Sequence, residues 1–570
     1  MVNVKNLFGM AVMATALVGC SSNDNLAPDG KDNVSKAGTA YAKFTIQLPT
    51  TNGTRADGDP TPGTPSFEGG TADEYAVKDA QLVIFEKTPA SDGEGDYKFV
   101  ETVNIGNLEP WNNQNDQGVT RYADITAKLD SVALNDSGDK YYALFILNNE
   151  GQTKVTLPTG GTYSAWNKEN HAKSAADFLK STNGFYMANA PKYVEGGEPT
   201  TLVPIKGVYS TKAEAQNKPA TTVYVERGMA KVTIGSSTFD AEKPVTTSTN
   251  YAGDKVTITN WTLDVLNKTT FPVHKTDGLK TIWNQTWASR FFDNTSKEFK
   301  RVYWGVDPNY SGSALSDITA CKDQFYLVDP SGSSYNDNTQ TFTWSTKDKP
   351  LYCLENTFDI NNMKQGQTTR VLFKATYTPA AVASETDKTF FMIGNNPKIW
   401  TMTTLKQQIT NKVQELLKST SVSVTINAGA DLLKAGSHKV TAADITITGT
   451  TASSLNYDEL NTKLGLDNTP GIKTYKNGEC YYIARIKHFN ELTPWASGQD
   501  LYGGDNEKYL GRYGVLRNNW YDLTVSKVSA PGYPDVPEVN PTEPDDEDTK
   551  FINVKVKILD WAKRSQSIEL

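Results

Sequence analysis

The sequence predicts a mainly β protein of two β-sandwiches with a few short helices. Three observations predict it. Period-two runs of apolar residues recur along the chain with turn residues between them, and few stretches carry helical spacing. Tyr (27 residues) and frequent Val/Thr pairs favour strands. At 570 residues the chain is long enough for more than one domain, and two sandwiches are the natural partition of that length.

The first 20 residues are not part of the fold. MVNVKNLFGMAVMATALVGC carries Lys5 before a short apolar run, Leu7 to Val18, which fits a removable signal. Leu17-Val18-Gly19-Cys20 has the small-residue pattern of a lipobox, so 1–19 reads as a lipoprotein signal peptide with Cys20 as the lipidated residue. The alternative is an ordinary signal with a chance cysteine. A polar, breaker-rich stretch follows Cys20 and reads as a tether. No later stretch is long and apolar enough to span a bilayer, and a lipid anchor is not a spanning helix.

Tyr41 to Leu48 (YAKFTIQL) alternates apolar and polar residues as a half-buried strand does. A long run of Pro, Gly, Thr and Asp follows, in which Arg55 is the only basic residue between Lys43 and Lys78. Such a loop is where proteases cut. Residues 20–55 are therefore expected to be a propeptide with a removable strand, cut between Arg55 and Ala56. The plainer alternative is an N-terminal strand on a slack loop.

Strands are expected at Val77–Glu86, Lys140–Leu147, Phe185–Ala188 and Thr222–Ile234, with a short helix over Ser174–Lys180 capped by Ser174. The polar passage Asp240–Asp254 suggests a boundary between domains 56–245 and 246–530. Further strands are expected at Lys255–Leu266, Thr369–Tyr377, Thr389–Ile393, Val422–Ile426, Lys439–Ile447, Tyr481–Ile486 and Trp520–Val528. Leu405, Ile409, Val413, Leu416 and Leu417 have helical spacing, with Thr403 or Thr404 as N-cap.

Residues 531–570 stand apart. Pro531 to Thr549 holds five prolines and seven acidic residues with no base, which reads as an extended spacer unable to pack alone. FINVKVKILDW (551–561) then places Ile552, Val554, Val556 and Ile558 on one face of a strand and Asn553, Lys555 and Lys557 on the other. It either returns to its own sheet as an edge strand or pairs with the sheet of another chain. A strand that can be cut away and a strand free to dock answer each other, and the result is a head-to-tail polymer that does not close.

With these features in order, the chain resembles the fimbrillins of type V pili, the Mfa-like shaft subunits of anaerobic Gram-negative bacteria. The resemblance rests on LVGC at 17–20, NGTRADG around Arg55, YYALFILNN at 141–149, TVYVERGMAKVTI at 222–234, LENTFD at 354–359, TRVLFKATYTP at 369–379, FFMIGN at 390–395, YKNGECYYIARI at 475–486, VLRNNWYDLTVSKV at 515–528 and FINVKVKILDW at 551–561. It implies two transthyretin-like β-sandwich domains, lipoprotein export and maturation by an outer-membrane Arg-specific protease. It also implies polymerisation by strand exchange with copies of itself and related pilins, between a basal anchor and a tip subunit. Cys20 would carry the lipid, Arg55 would precede the cut, residues 41–48 would be removed, and Ile552, Val554, Val556 and Ile558 would be the donor face.

Other classes are disfavoured. A net charge of −8 argues against nucleic acid. Four scattered histidines and four cysteines supply neither a metal set nor a catalytic motif, so no cofactor, metal or catalytic residue is expected. Cys321, Cys353 and Cys480 are taken as buried thiols, although one bridge is possible. A tip or accessory fimbrial subunit and a surface glycan-binding lipoprotein are the alternatives. The second would use some of the 11 tryptophans, but Trp261, Trp400 and Trp520 sit within or beside strand patterns.

Overall fold

The computed structural model describes residues 39–49, 71–109, 112–113, 119–135, 138–195, 197–239, 242–245, 249–277, 291–292, 299–310, 315, 317–449, 455–488, 509–545 and, as backbone, 552–559. Cys20, Arg55 and Ala56 lie outside them. The described residues are mainly β.

The N-terminal half is organised by one nine-stranded sheet. Its longer strands are Ala40–Pro49 (β1), Ala80–Glu86 (β2), Lys98–Asn104 (β3), Val119–Leu129 (β4), Tyr141–Leu147 (β5), Met187–Asn189 (β6) and Thr221–Arg227 (β7). They run in the order β3-β2-β5-β6-β7-β1-β4, with Asn112–Asn113 beyond β4 and Val203–Pro204 against β5. Tyr141–Leu147 is buried throughout except Tyr142, which explains its unbroken apolar run. The expected helix is one turn, Ala175–Phe178, with the Ser174 hydroxyl accepting from the Asp177 N–H.

The single strand expected over Thr222–Ile234 is two. β7 ends at Arg227, and Ala230–Ile234 (β8) begins a different sheet. Gly228 makes the crossing possible, because a Cβ there would lie 2.8 Å from the Phe178 ring. β8 pairs antiparallel with Leu351–Cys353 and in parallel with Trp520–Val528. A neighbouring sheet joins Lys243–Pro244, Lys255–Asp264, Arg370–Thr378 and Glu479–Arg485 in antiparallel order. Among the numbered strands, Lys255–Asp264 is β9, Leu351–Cys353 is β10, Arg370–Thr378 is β11, Glu479–Arg485 is β12, Trp520–Val528 is β13 and Ile552–Leu559 is β14.

Between β11 and β12 the chain builds a separate small core around Leu405, Ile409, Val413, Leu432, Leu460 and Ile472. Its helix is Met402–Leu417, starting two or three residues earlier than the apolar spacing suggested. Thr401 is the N-cap, and Thr401 and Thr404 form a reciprocal capping box, so Thr404 is its third residue. The strand expected over Lys439–Ile447 is broken into Gly436–His438 and Ile445–Thr448. Asp444 accepts from the Thr441 N–H and folds the intervening residues into a turn. Cys321, Cys353 and Cys480 are buried free thiols, and burial pushes Cys353 and Cys480 up to about 12. Trp261 and Trp400 are core residues.

Candidate functional site: the β1 slot and the C-terminal strand

β1 is a central strand. Ala40 to Leu48 pair antiparallel with Leu129 to Arg121 of β4, and Phe44 to Gln47 pair in parallel with Thr221 to Tyr224 of β7. Ala40, Ala42, Phe44, Ile46 and Leu48 are all buried, each no more than 1% exposed. They pack with Leu82, Ile84, Phe145, Val223 and Val225 in one cluster, and the Phe44 and Phe145 rings meet edge to face at 5.3 Å. Burying Phe44, Ile46 and Leu48 is worth ~1.5–3 kcal/mol each.

The other face of β1 makes two polar contacts. The Lys43 ammonium donates to the Gln216 carbonyl, 3.1 Å away, at the end of the short helix Lys212–Gln216. The Thr45 hydroxyl donates to Asp124 of β4 at 2.5 Å. Without β1, β4 keeps only the two-residue piece Asn112–Asn113 as a sheet neighbour, and β7 keeps β6. The vacated position would expose unpaired backbone groups and an apolar floor, both costly in water.

The C-terminal strand β14 lies at the edge of the sheet β10-β8-β13-β14 and pairs antiparallel with β13 of the same chain. Ile552, Val554, Val556 and Ile558 fall opposite Val528, Val525, Leu523 and Tyr521, which are all buried. β14 therefore has one strand neighbour where β1 has two.

Residues 531–545 of the acidic proline segment before it are packed against the fold rather than free. Tyr533 exchanges both backbone hydrogen bonds with Tyr481, and the Tyr475 hydroxyl donates to the Gly532 carbonyl. Arg370 donates to the Pro537 carbonyl at 2.6 Å, while Val536 and Val539 are buried. Asp545 is 1% exposed: it accepts from Arg512 and from the Thr368 hydroxyl, and its carbonyl accepts from Arg485. Composition overstated the isolation of this segment, because a ready-made sheet edge supplies the partners that it lacks by itself.

The two halves meet over a buried ionic network. Burial alone would raise Glu226, but Arg301 at 2.7 Å and His274 at 2.9 Å outweigh it and hold the carboxyl below its ordinary value. Arg227 at the end of β7 donates to the Glu74 carbonyl and to Asn518, and Lys231 of β8 pairs with Glu74 at 2.7 Å. Arg517 pairs with Glu355, and its carbonyl accepts from Arg301. The sequence shows these charges but not that they converge, because Glu226 and Arg517 are far apart along the chain. Among the described residues, no group of His, Cys, Asp and Glu could hold a metal ion, and no helix is long and apolar enough to cross a membrane.

Residues 473–567 match the family described as major fimbrial subunit protein type IV, fimbrillin, C-terminal. No curated protein matches the chain. Similar solved structures include a fimbrilin from Porphyromonas gingivalis W83, at 10% identity over 92% of this chain and 98% of that one, with a TM-score of 0.38. The tip fimbrial protein Mfa3 from Porphyromonas gingivalis has 12% identity over 92% and 100%, with a TM-score of 0.25. A fimbrial assembly protein from Parabacteroides distasonis ATCC 8503 has 10% identity over 63% and 94%, with a TM-score of 0.25. The C-terminal match, which contains β12, β13 and β14, bears out the fimbrillin resemblance over residues 473–567.

Proposed function

From a C-terminal region that matches the fimbrillins, we propose that this chain is a shaft subunit of a surface fimbria. It is exported as an outer-membrane lipoprotein anchored through Cys20. A protease with arginine specificity cuts between Arg55 and Ala56, and β1 leaves with the propeptide. The vacated slot takes the C-terminal strand of another copy, with Ile552, Val554, Val556 and Ile558 in place of the β1 apolar face. Repetition gives a head-to-tail filament that also joins anchor and tip subunits.

The observation that carries this reading is the position of β1. It is a central strand, paired on both sides and with every residue of its apolar face buried, yet it lies on the propeptide side of Arg55. Four aliphatic side chains would contribute on the order of 6–12 kcal/mol before ordering costs. An edge strand that moves into the slot exchanges one backbone ladder for two, and each added bond contributes ~0.5–1.5 kcal/mol. The second ladder favours strand transfer.

The pairing of β14 with β13 of its own chain favours a second reading, a tip or accessory subunit that keeps its terminus at home. Arg-specific proteolysis of the purified chain, followed by N-terminal sequencing and electron microscopy, separates the two. A shaft subunit begins at Ala56 and forms filaments by itself. A chain cut at that position that stays monomeric is not a shaft subunit.

A further inference from the structure

The two places where a terminal strand docks are built alike. β13 holds β14 with Asp522-Leu523-Thr524, and β4 holds β1 with Asp124-Ile125-Thr126, each as the antiparallel neighbour. The docked strands also match: Ala42-Lys43-Phe44-Thr45-Ile46 in β1 and Val554-Lys555-Val556-Lys557-Ile558 in β14. The registers agree residue for residue. Phe44 lies opposite Ile125 as Val556 lies opposite Leu523, and Lys43 lies opposite Thr126 as Lys555 lies opposite Thr524. Thr45 lies opposite Asp124 as Lys557 lies opposite Asp522.

We propose that Asp124 sets the register of the incoming strand, placing Lys557 of a second copy where Thr45 sits in the precursor. This rests on the strand-exchange reading above. The hydroxyl–carboxylate hydrogen bond between Thr45 and Asp124 in the precursor is then replaced by a cross-strand ion pair, an attraction the departing strand lacks. Lys555 takes the place of Lys43, within reach of the Gln216 carbonyl. Val554, Val556 and Ile558 take the places of Ala42, Phe44 and Ile46. One step further, Asp560 falls opposite Arg121, the partner of Leu48, whose guanidinium lies over the Tyr75 ring 4.1 Å away. Lys557 is thereby paired, and Asp560 enters the buried place of Leu48 with Arg121 as the cation beside it. A shift by two residues towards the C-terminal end of β1 puts Lys557 opposite Tyr122 and carries Asp560 beyond Arg121.

The test is charge exchange in the full chain after Arg-specific cutting, with filament growth followed by light scattering. D124K and K557D are each expected to grow roughly three- to tenfold more slowly, as like charges meet across the ladder. The double variant D124K/K557D is expected to recover most of that loss, while D124K/K555D is not. The uncut D124K precursor should keep its melting temperature within a few degrees, which shows that the slot itself is intact. Rescue by K555D and not by K557D overturns the register, as does D124K growth at the parental rate. A chain truncated after Asp545 tests the underlying reading separately. If it still forms filaments, strand exchange fails whatever the register.

Discussion

Phe44→Ala distinguishes a strand that is part of the working protein from one that only holds its place. Phe44 has no exposed surface, packs edge to face on Phe145 and occupies the middle of β1. Truncation of a buried phenylalanine costs ~3–5 kcal/mol. At roughly 2–4 °C per kcal/mol for a domain of this size, the N-terminal half of the uncut precursor should melt about 6–20 °C lower. Filaments from the same variant should melt as the parent does, because Phe44 has left with the propeptide. Weaker retention of β1 should also shorten the lag before growth. The assay is differential scanning calorimetry of precursor and of washed filaments, side by side. Filaments that melt as low as the variant precursor would refute the reasoning, since Phe44 would then still be in the sheet.

The remaining predictions concern the C-terminal half. Val556→Asp puts a carboxylate on the buried face of the docking strand and should abolish filaments, while Lys555→Asp, on the open face, should slow them only a few fold; equal effects in electron micrographs would mean the wrong face was chosen. Truncation after Asp545 should leave the monomer melt nearly unchanged, whereas truncation after Ala530 should lower it by several degrees, because Val536, Val539 and the Asp545 contacts with Arg512 and Arg485 are lost; identical melts would show that 531–545 adds nothing. Burial pushes Asp307 up to about 7, against donors from Asn309 and Asn267. A carboxyl whose folded pKa is raised favours the folded state below its unfolded value and loses that contribution as pH rises towards 7. Urea midpoints should therefore fall between pH 4.5 and pH 7.5, and Asp307→Asn should flatten the slope; a parent profile that rises over the same range would contradict the assignment.

Much of this arrangement was legible in the sequence because period two survives wherever a strand has one buried face. β1 and β13 show it plainly, and the register of β14 follows the same alternation. What was not legible has physical causes. The division of 222–234 into two strands turns on Gly228 passing beneath Phe178 and Tyr186, a long-range packing event with no local signal beyond the glycine. The helix cap at Thr401 rather than Thr403 or Thr404 was hidden because three neighbouring threonines are equivalent by composition and differ only in backbone position. The acidic proline segment was misjudged because its partners, Tyr481, Arg370, Arg485 and Arg512, come from other parts of the chain.

That last difference changes how strand exchange has to work. Had residues 531–551 been a free spacer, the donor strand could sweep about 70 Å at ~3.3–3.6 Å per residue and could reach almost any groove nearby. With the chain fastened at Asp545, only six residues separate the fixed point from Ile552, a reach of roughly 20 Å. A shorter arm loses less entropy on docking and confines the strand to grooves presented close to its root. The buried charges at Asp545 therefore bear on assembly as much as on stability: they convert a diffuse search into a local one. The pairing of β14 with β13 is the counterpart of that restraint. Parking the strand on an edge with a single ladder leaves it fewer backbone bonds to give up than a central strand such as β1 has.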